Sequence, residues 1–256
     1  MASLASNEAC RPEQLIEGYN IADLAWGTAD AKSIALSFWV RSSLTGTFGG
    51  GISNNDRDRS YPFTYSISAA NTWEYKTIVV PGDTTGTWLT DSGIGMRVRF
   101  GLGVGSTLSG AAGAWEAADY QSATGAVSVI GTLNATFYIT GAQLEAGSVA
   151  TPFERRSYGQ ELALCQRYYE RTVANTGLIW TGDATNNNNY YLTGLFFVPK
   201  RATPTFTGTG SGGTGFSAGA PSDAGANAGE WNMGFTCNST GARRYFTAGF
   251  AASAEL

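Results

Sequence analysis

The chain contains no histidine, so the side chain that most often moves protons near neutral pH is missing from its chemistry. That removes Ser-His-Asp and Cys-His triads and histidine-ligated metals as readings. Glycoside hydrolysis needs only two carboxyl groups about 5 to 10 Å apart. Glu74, Asp83, Asp91, Glu116 and Asp119 could supply them, but no spacing pairs them, and scattered carboxylates are mostly solvated. The loop Asn54-Asn55-Asp56-Arg57-Asp58 offers the oxygen ligands that Ca²⁺ prefers, without EF-hand spacing and with arginines beside it, and reads as a solvated loop. GLGVGSTLSG, from Gly101 to Gly110, lacks the lysine of a phosphate-binding loop. Cys10, Cys165 and Cys237 are odd in number and far apart, which fits neither a zinc site nor a disulfide framework. No catalytic residue, metal or cofactor is expected.

Aromatic residues are the remaining chemistry, with 12 Tyr, 13 Phe and 7 Trp. Sugar rings lay their apolar C–H faces on such side chains while a few polar groups fix their hydroxyls. Trp88, Trp115 and Tyr120 lie in or beside loops, where binding residues concentrate. Tyr190 and Trp231 form a second candidate set nearer the C-terminus. The competing reading for each is a core or interface ring. Trp39 and Trp73 sit inside strand patterns and are expected in the core.

The elements that would carry these residues read as strands. Only 14% of residues are charged and Gly numbers 34, which suits pleated strands joined by many turns. In Ile34 to Val40, Ile34, Leu36, Phe38 and Val40 share one face. Further strands are expected over Tyr61 to Ser68, Trp73 to Val80, Ile94 to Leu102, Val127 to Ile130 and Asn134 to Leu144. Loops are expected over Gly46 to Ser60 and Gly103 to Thr124. With no alternation of strand and helix, the fold class is all-β, an antiparallel jelly-roll-like sandwich.

A short linking helix follows. Ser157 and Gln160 make an S-x-x-Q capping box, and Tyr158, Leu162, Cys165 and Tyr169 recur at the spacing of a coiled-coil seam. So short a helix must bury that stripe, on its own domain or on symmetry mates. Beyond it a second, C-terminal β-rich domain is expected, with strands at Leu178 to Trp180, Tyr190 to Val198, Thr205 to Thr209, Trp231 to Cys237 and Arg244 to Ala252. The Gly/Ser/Ala tract from Gly208 to Gly229 reads as a loop or tight packing region. The net charge of −4 and the absence of basic runs argue against a nucleic-acid partner. No segment reaches the roughly 20 apolar residues that span a bilayer, so no membrane insertion is expected. The N-terminus lacks signal-peptide character.

The stretch GAQLEAGSVATPFERRSYGQELALCQRYY, Gly141 to Tyr169, resembles a junction found in tailed-bacteriophage tail fibres and related virion proteins. There a carbohydrate-binding-module-like β-sandwich ends in LExG, continues as ATPFERR and enters a CQRYY helix before a second β-rich domain. The ending from Phe250 through Ser253-Ala254-Glu255-Leu256 is also similar, so the resemblance runs from about Ile16 to the end. It implies a division into an N-terminal extension (1–15), the sandwich (16–147), linker and helix (148–172) and the C-terminal domain (173–256). Members usually carry more sequence before the segment that begins at Ile16, which implies a shortened member or a fragment. By the same resemblance the chain is expected to be a non-enzymatic, homotrimeric adhesin on the virion surface. It would bind host surface glycan and contact other virion proteins, with its helix stripe around a three-fold axis. The alternative is an architectural head-fibre or decoration protein that binds other virion subunits. A polysaccharide-degrading enzyme ranks behind both.

Overall fold

The computed structural model describes residues 4–172, 178–184, 189–212, 223–236 and 241–256. They form two compact units: the first ends at Glu154 and the second spans Arg155–Glu255. The protein is all-β, with antiparallel sheets and a single short α-helix among the described residues.

The first unit contains β1 (Ala9–Cys10), β2 (Glu13–Glu17), β3 (Ile34–Ser42), β4 (Gly46–Ser53), β5 (Ser60–Ile67) and β6 (Glu74–Val80). It continues with β7 (Ile94–Gly101), β8 (Gly103–Val104), β9 (Ser109–Gly110), β10 (Ser122–Ala123) and β11 (Phe137–Ala146). Two antiparallel sheets dominate, in the orders β11-β3-β6 and β2-β7-β4-β5. Strand alternation gives each sheet one apolar side. Ile34, Leu36, Phe38 and Val40 of β3 are buried against Phe48 and Ile52 of β4, Phe63, Tyr65 and Ile67 of β5, and Met96, Val98 and Phe100 of β7. Phe38 packs edge-on between Tyr65 at 5.1 Å and Phe100 at 5.0 Å, which locks one sheet on the other. Burying each such side chain contributes about 1.5–3 kcal/mol.

Two backbone features adjust this frame. In the β11–β3 ladder Thr140 faces Trp39 and Gln143 faces Ser37, so β11 holds one extra residue. Gly141 supplies the bulge with φ +56°, a left-handed conformation that favours glycine. The extra residue reverses the alternation, so that Phe137 and Ile139 before it and Leu144 after it all pack against the core. On the outer side of β4 and β7, Gly49, Gly51 and Gly101 admit residues 120–123 so closely that added Cβ atoms would stand 2.4 Å from Ser122 Oγ, 2.8 Å from Tyr120 O and 2.6 Å from Ser122 Oγ. The segment before β11 therefore covers the four-stranded sheet.

Several expectations need correction. The expected N-terminal extension, 1–15, is not separate from the sandwich: its residues 13–15 belong to β2, which pairs with β7 as an edge strand of the larger sheet. Most of the expected loop Gly46 to Ser60 is strand β4, because its glycines lie under the crossing segment. Val127 to Ile130 is not a strand, although Val129 is buried in the core. The loop from Gly103 to Thr124 contains the short strands β8, β9 and β10, of which β9 and β10 pair in parallel.

The second unit opens with α1 (Tyr158–Tyr168), whose capping box is formed as expected: Ser157 Oγ accepts from Gln160 N–H and Gln160 Oε1 accepts from Ser157 N–H. Its strands are β12 (Tyr169–Arg171), β13 (Leu178–Ala184), β14 (Asn189–Leu195), β15 (Thr205–Gly212), β16 (Asp223–Ala226), β17 (Glu230–Thr236) and β18 (Gly241–Ser253). β18 pairs with β12, β13 and β15, and β17 lies between β14 and β16. The glycine-rich tract thus supplies strand residues at both of its ends, where the ladders with β18 and β17 satisfy its amides. Phe196, Trp231, Phe250 and Ala252 are buried there. The Lys200 ammonium is also buried; it donates to Glu170 Oε2 at 2.8 Å and to the Gln166 carbonyl.

Candidate functional site

Trp88 and Trp115, expected as sugar platforms, belong to a packed knot with Trp26. The three rings meet edge to face at 4.6, 5.2 and 5.5 Å. Each indole N–H donates to a backbone carbonyl: Trp26 to Lys32, Trp88 to Thr85 and Trp115 to Pro81. Trp88 is buried and Trp115 half-buried. Trp88, held this way, has little free face for a ligand, whereas Trp115 keeps part of its surface; both rings pin loops to the sandwich. Tyr120 packs its ring over Gly110, where a Cβ would come within 2.2 Å of it. Trp231 is buried against Phe206 and Phe250 in the second unit. Tyr190 falls on β14 opposite Phe235, with its side chain outside the described residues. Cys237 also lies outside them.

The exposed rings stand elsewhere, and two are the tryptophans expected in the core. On the outer face of the β11-β3-β6 sheet, Trp39 is 45% exposed, Tyr75 45%, Tyr138 49% and Trp73, just before β6, 41%. The cause is parity. Ile34, Leu36, Phe38 and Val40 take the inner face of β3, so Trp39 and Arg41 must point outward. Trp39 stands opposite Tyr75 on β6 with centroids 5.4 Å apart, and Trp73 lies 6.4 Å from Tyr138. Arg41 stands opposite Tyr138 on β11 and holds its guanidinium 5.6 Å over that ring. Arg41 Nε is shielded from solvent and has no hydrogen-bond partner. Gly141 leaves a notch bordered by Trp39 and half-exposed Phe153, 3.6 and 3.9 Å from where a Cβ would be. Thr77 and Thr140 add exposed hydroxyl-bearing side chains beside the rings.

The sequence motif after β11 frames this face. Gln143 Oε1 accepts from Glu154 N–H at 2.7 Å, and Glu145 Oε2 accepts from Thr151 N–H at 3.0 Å. A second bond runs from the Thr151 hydroxyl to Glu145. The Thr151-Pro152-Phe153-Glu154 segment is thereby folded back along the end of β11, which places Phe153 beside Gly141. Hydrogen bonds from Thr151 hold the Glu145 carboxyl below its ordinary pKa.

The candidate carboxylates have mostly structural partners. Asp83 makes a two-pronged ion pair with Arg59, Nε to Oδ2 and Nη2 to Oδ1, each at 2.8 Å. Asp119 accepts from Arg99 and Gln121, Asp91 from Gly93 N–H, and Glu74 from Ser68 and Ala69 N–H and from Lys76. Asn54 of the oxygen-rich loop is buried and bonds Asp58 and the Thr87 carbonyl, which makes it a turn organiser. Among the described residues no three His, Cys, Asp or Glu side chains group as metal ligands, and no helix is long and apolar enough to cross a membrane.

Along α1 the stripe Tyr158, Leu162 and Cys165 is exposed, Tyr158 by 82%, and Tyr169 begins β12 rather than continuing the helix. No residue of the helix is buried. No family model matches the chain, and no curated protein matches it.

Proposed function

We propose that this chain is a non-enzymatic, tail-fibre-type virion adhesin that binds host surface glycan on the outer face of the β11-β3-β6 sheet. The observation that carries this reading is the cluster of Trp39, Trp73, Tyr75 and Tyr138 with Arg41, half-exposed on a rigid sheet. Rings of this kind offer apolar faces to a pyranose, and the Thr77 and Thr140 side chains exposed beside them offer hydroxyls to its polar groups. A rigid strand platform loses little entropy on binding. The resemblance of Gly141 to Tyr169 to tail-fibre junctions supplies the biological setting, a protein assembled in the host cytoplasm and exposed on the particle. Weak single contacts would be multiplied in a homotrimer, with the exposed α1 stripe as its seam.

Screening the full chain on a panel of bacterial surface glycans tests this reading. Binding is expected, and Trp39→Ala and Tyr75→Ala are each expected to weaken it about tenfold, equivalent to about 1.4 kcal/mol. Binding that survives both substitutions rejects the site.

A second reading, an architectural protein that docks on other virion subunits, is favoured by Leu195 and Phe197, 78% and 80% exposed, and by the bare helix stripe. No glycan binding together with a monomer that becomes incorporated into particles would establish it. A concentration-independent trimer by light scattering, lost in Leu162→Asp, supports the adhesin reading.

A further inference from the structure

The aromatic face of the β11-β3-β6 sheet carries one cation at one end. Elsewhere in the sandwich arginines meet carboxylates: Arg59 pairs with Asp83, and Arg11, Arg97 and Arg99 gather on Glu13. Among the described residues Arg41 has neither an ion pair nor a hydrogen bond, and its guanidinium lies over the Tyr138 ring instead. Its Nε alone is shielded from solvent; the side chain is half-buried, and the terminal Nη1 and Nη2 reach water. A shielded Nε without a partner costs free energy that a surface arginine avoids by turning into solvent. Here the rings hold it in place. Trp73 and Tyr138 come from strands on either side of β3, with centroids 6.4 Å apart, and so flank Arg41.

The surroundings leave that charge uncompensated. Parity gives the open part of the face Trp39 and Arg41 on β3, Tyr75 and Thr77 on β6, and Tyr138 and Thr140 on β11, none of them acidic. Glu74 stands opposite Val40, on the other side of the sheet, and accepts from Ser68 and Ala69 N–H and from Lys76. Glu145 of β11 does face outward, but opposite Ala35, six residues from Arg41 and about 20 Å along the strand. Salt screens charges at that range. The turns that rim the Arg41 end, 43–45, 68–73 and 131–136, contain no Asp or Glu. They are tied to this end of the sheet: Asn71 N–H donates to the Ser42 carbonyl at 2.7 Å, and Thr136 N–H to Ser43 Oγ at 2.9 Å.

Resting on the reading of this face as a glycan platform, we infer that its ligand is an acidic sugar, whose carboxylate takes the terminal nitrogens of Arg41 while its ring lies on the neighbouring aromatic side chains. Nη1 and Nη2, side by side at the end of a planar fork, match two carboxylate oxygens in spacing and charge. Rings that exclude water from one side of the fork strengthen such a pair. A neutral sugar gains only the ring contacts, so Arg41 sets a preference between two ligands that the platform alone would treat alike.

Binding of the full chain to neutral and uronic-acid-containing bacterial surface polysaccharides tests the inference. Each acidic polysaccharide is also measured in its carboxyl-reduced form, in which CH2OH replaces the carboxylate. The acidic forms are expected to bind, with affinity that falls about tenfold or more on carboxyl reduction and falls with added salt. Arg41→Gln should weaken binding of the native form by about the same factor and leave the reduced form unchanged, and Arg41→Lys should keep part of the difference. Trp39→Ala, by contrast, should weaken both forms alike. Reduced or neutral glycans that bind as tightly as acidic ones overturn the inference and leave the platform reading intact. An equal loss for both forms in Arg41→Gln also overturns it, and makes Arg41 a support for the Tyr138 ring. No binding of any glycan rejects the platform and this inference with it. The comparison of native and reduced glycan on the parent protein stands whether or not a variant folds.

Discussion

Trp39 and Tyr75 stand directly opposite each other on β3 and β6, their ring centroids 5.4 Å apart and tilted by 52°. Cross-strand aromatic pairs stabilise a sheet by about 0.2–1 kcal/mol. Burial would contribute more, yet nearly half of each ring stays in water. With Trp73 and Tyr138 nearby they make an exposed apolar surface of the kind that marks interaction sites.

The two tryptophan groups should respond oppositely to substitution. Trp88→Ala opens the indole knot and is expected to lower stability by about 3–5 kcal/mol. Trp39→Ala should change stability by about 1 kcal/mol or less while it weakens ligand binding. Urea unfolding midpoints of the two variants check this contrast, and equal losses would place Trp39 in the core after all.

Gly49→Ala brings a methyl carbon to 2.4 Å from Ser122 Oγ and 2.8 Å from the Ala123 amide nitrogen. The crossing segment must lift, at about 1–3 kcal/mol. Faster limited proteolysis between residues 119 and 126, with the midpoint lowered, is the expected result.

Acid should destabilise the first unit through two carboxylates. Burial pushes the Asp83 and Glu13 carboxyls up, but hydrogen bonds and charge from Arg59 and Arg99 respectively outweigh it and hold both below their ordinary values. A depressed folded pKa contributes stability that is complete above the unfolded value, about 4, and is lost as pH falls through the folded value. The melting temperature should therefore hold down to about pH 5 and drop below about pH 4. Asp83→Asn should melt lower at neutral pH and lose less in acid; a drop as steep as the parent's would exclude Asp83 as a source.

Lys200→Met leaves the Glu170 carboxylate buried without its ammonium partner, 2.8 Å away in the parent. Removing one member of a buried pair is expected to cost about 3–5 kcal/mol. The double variant Lys200→Met with Glu170→Leu should recover most of that, as measured by thermal unfolding.

Much of the frame was legible in the chain. Alternation in Ile34 to Val40 and Ile94 to Leu102 marked the inner faces, and Ser157 with Gln160 marked the start of α1. The same alternation already put Trp39 outside, since it occupies the position between Phe38 and Val40; its place inside a strand pattern suggested core where parity did not. Trp88 and Trp115 misled in the other direction. Loop position suggested exposure, but their indole N–H groups close on carbonyls of residues 85 and 81, and Trp115 reaches across 34 residues to do so.

What the sequence determined by itself is local: period-two strands, a capped helix and the absence of histidine chemistry, because these depend on neighbours a few positions apart. Tertiary structure decided which aromatics face water, that Gly49, Gly51 and Gly101 lie under residues 120–123, and that Arg11, Arg97 and Arg99 gather on Glu13. Those outcomes depend on the register between strands distant in sequence, and a one-residue bulge at Gly141 is enough to change which side chain faces out.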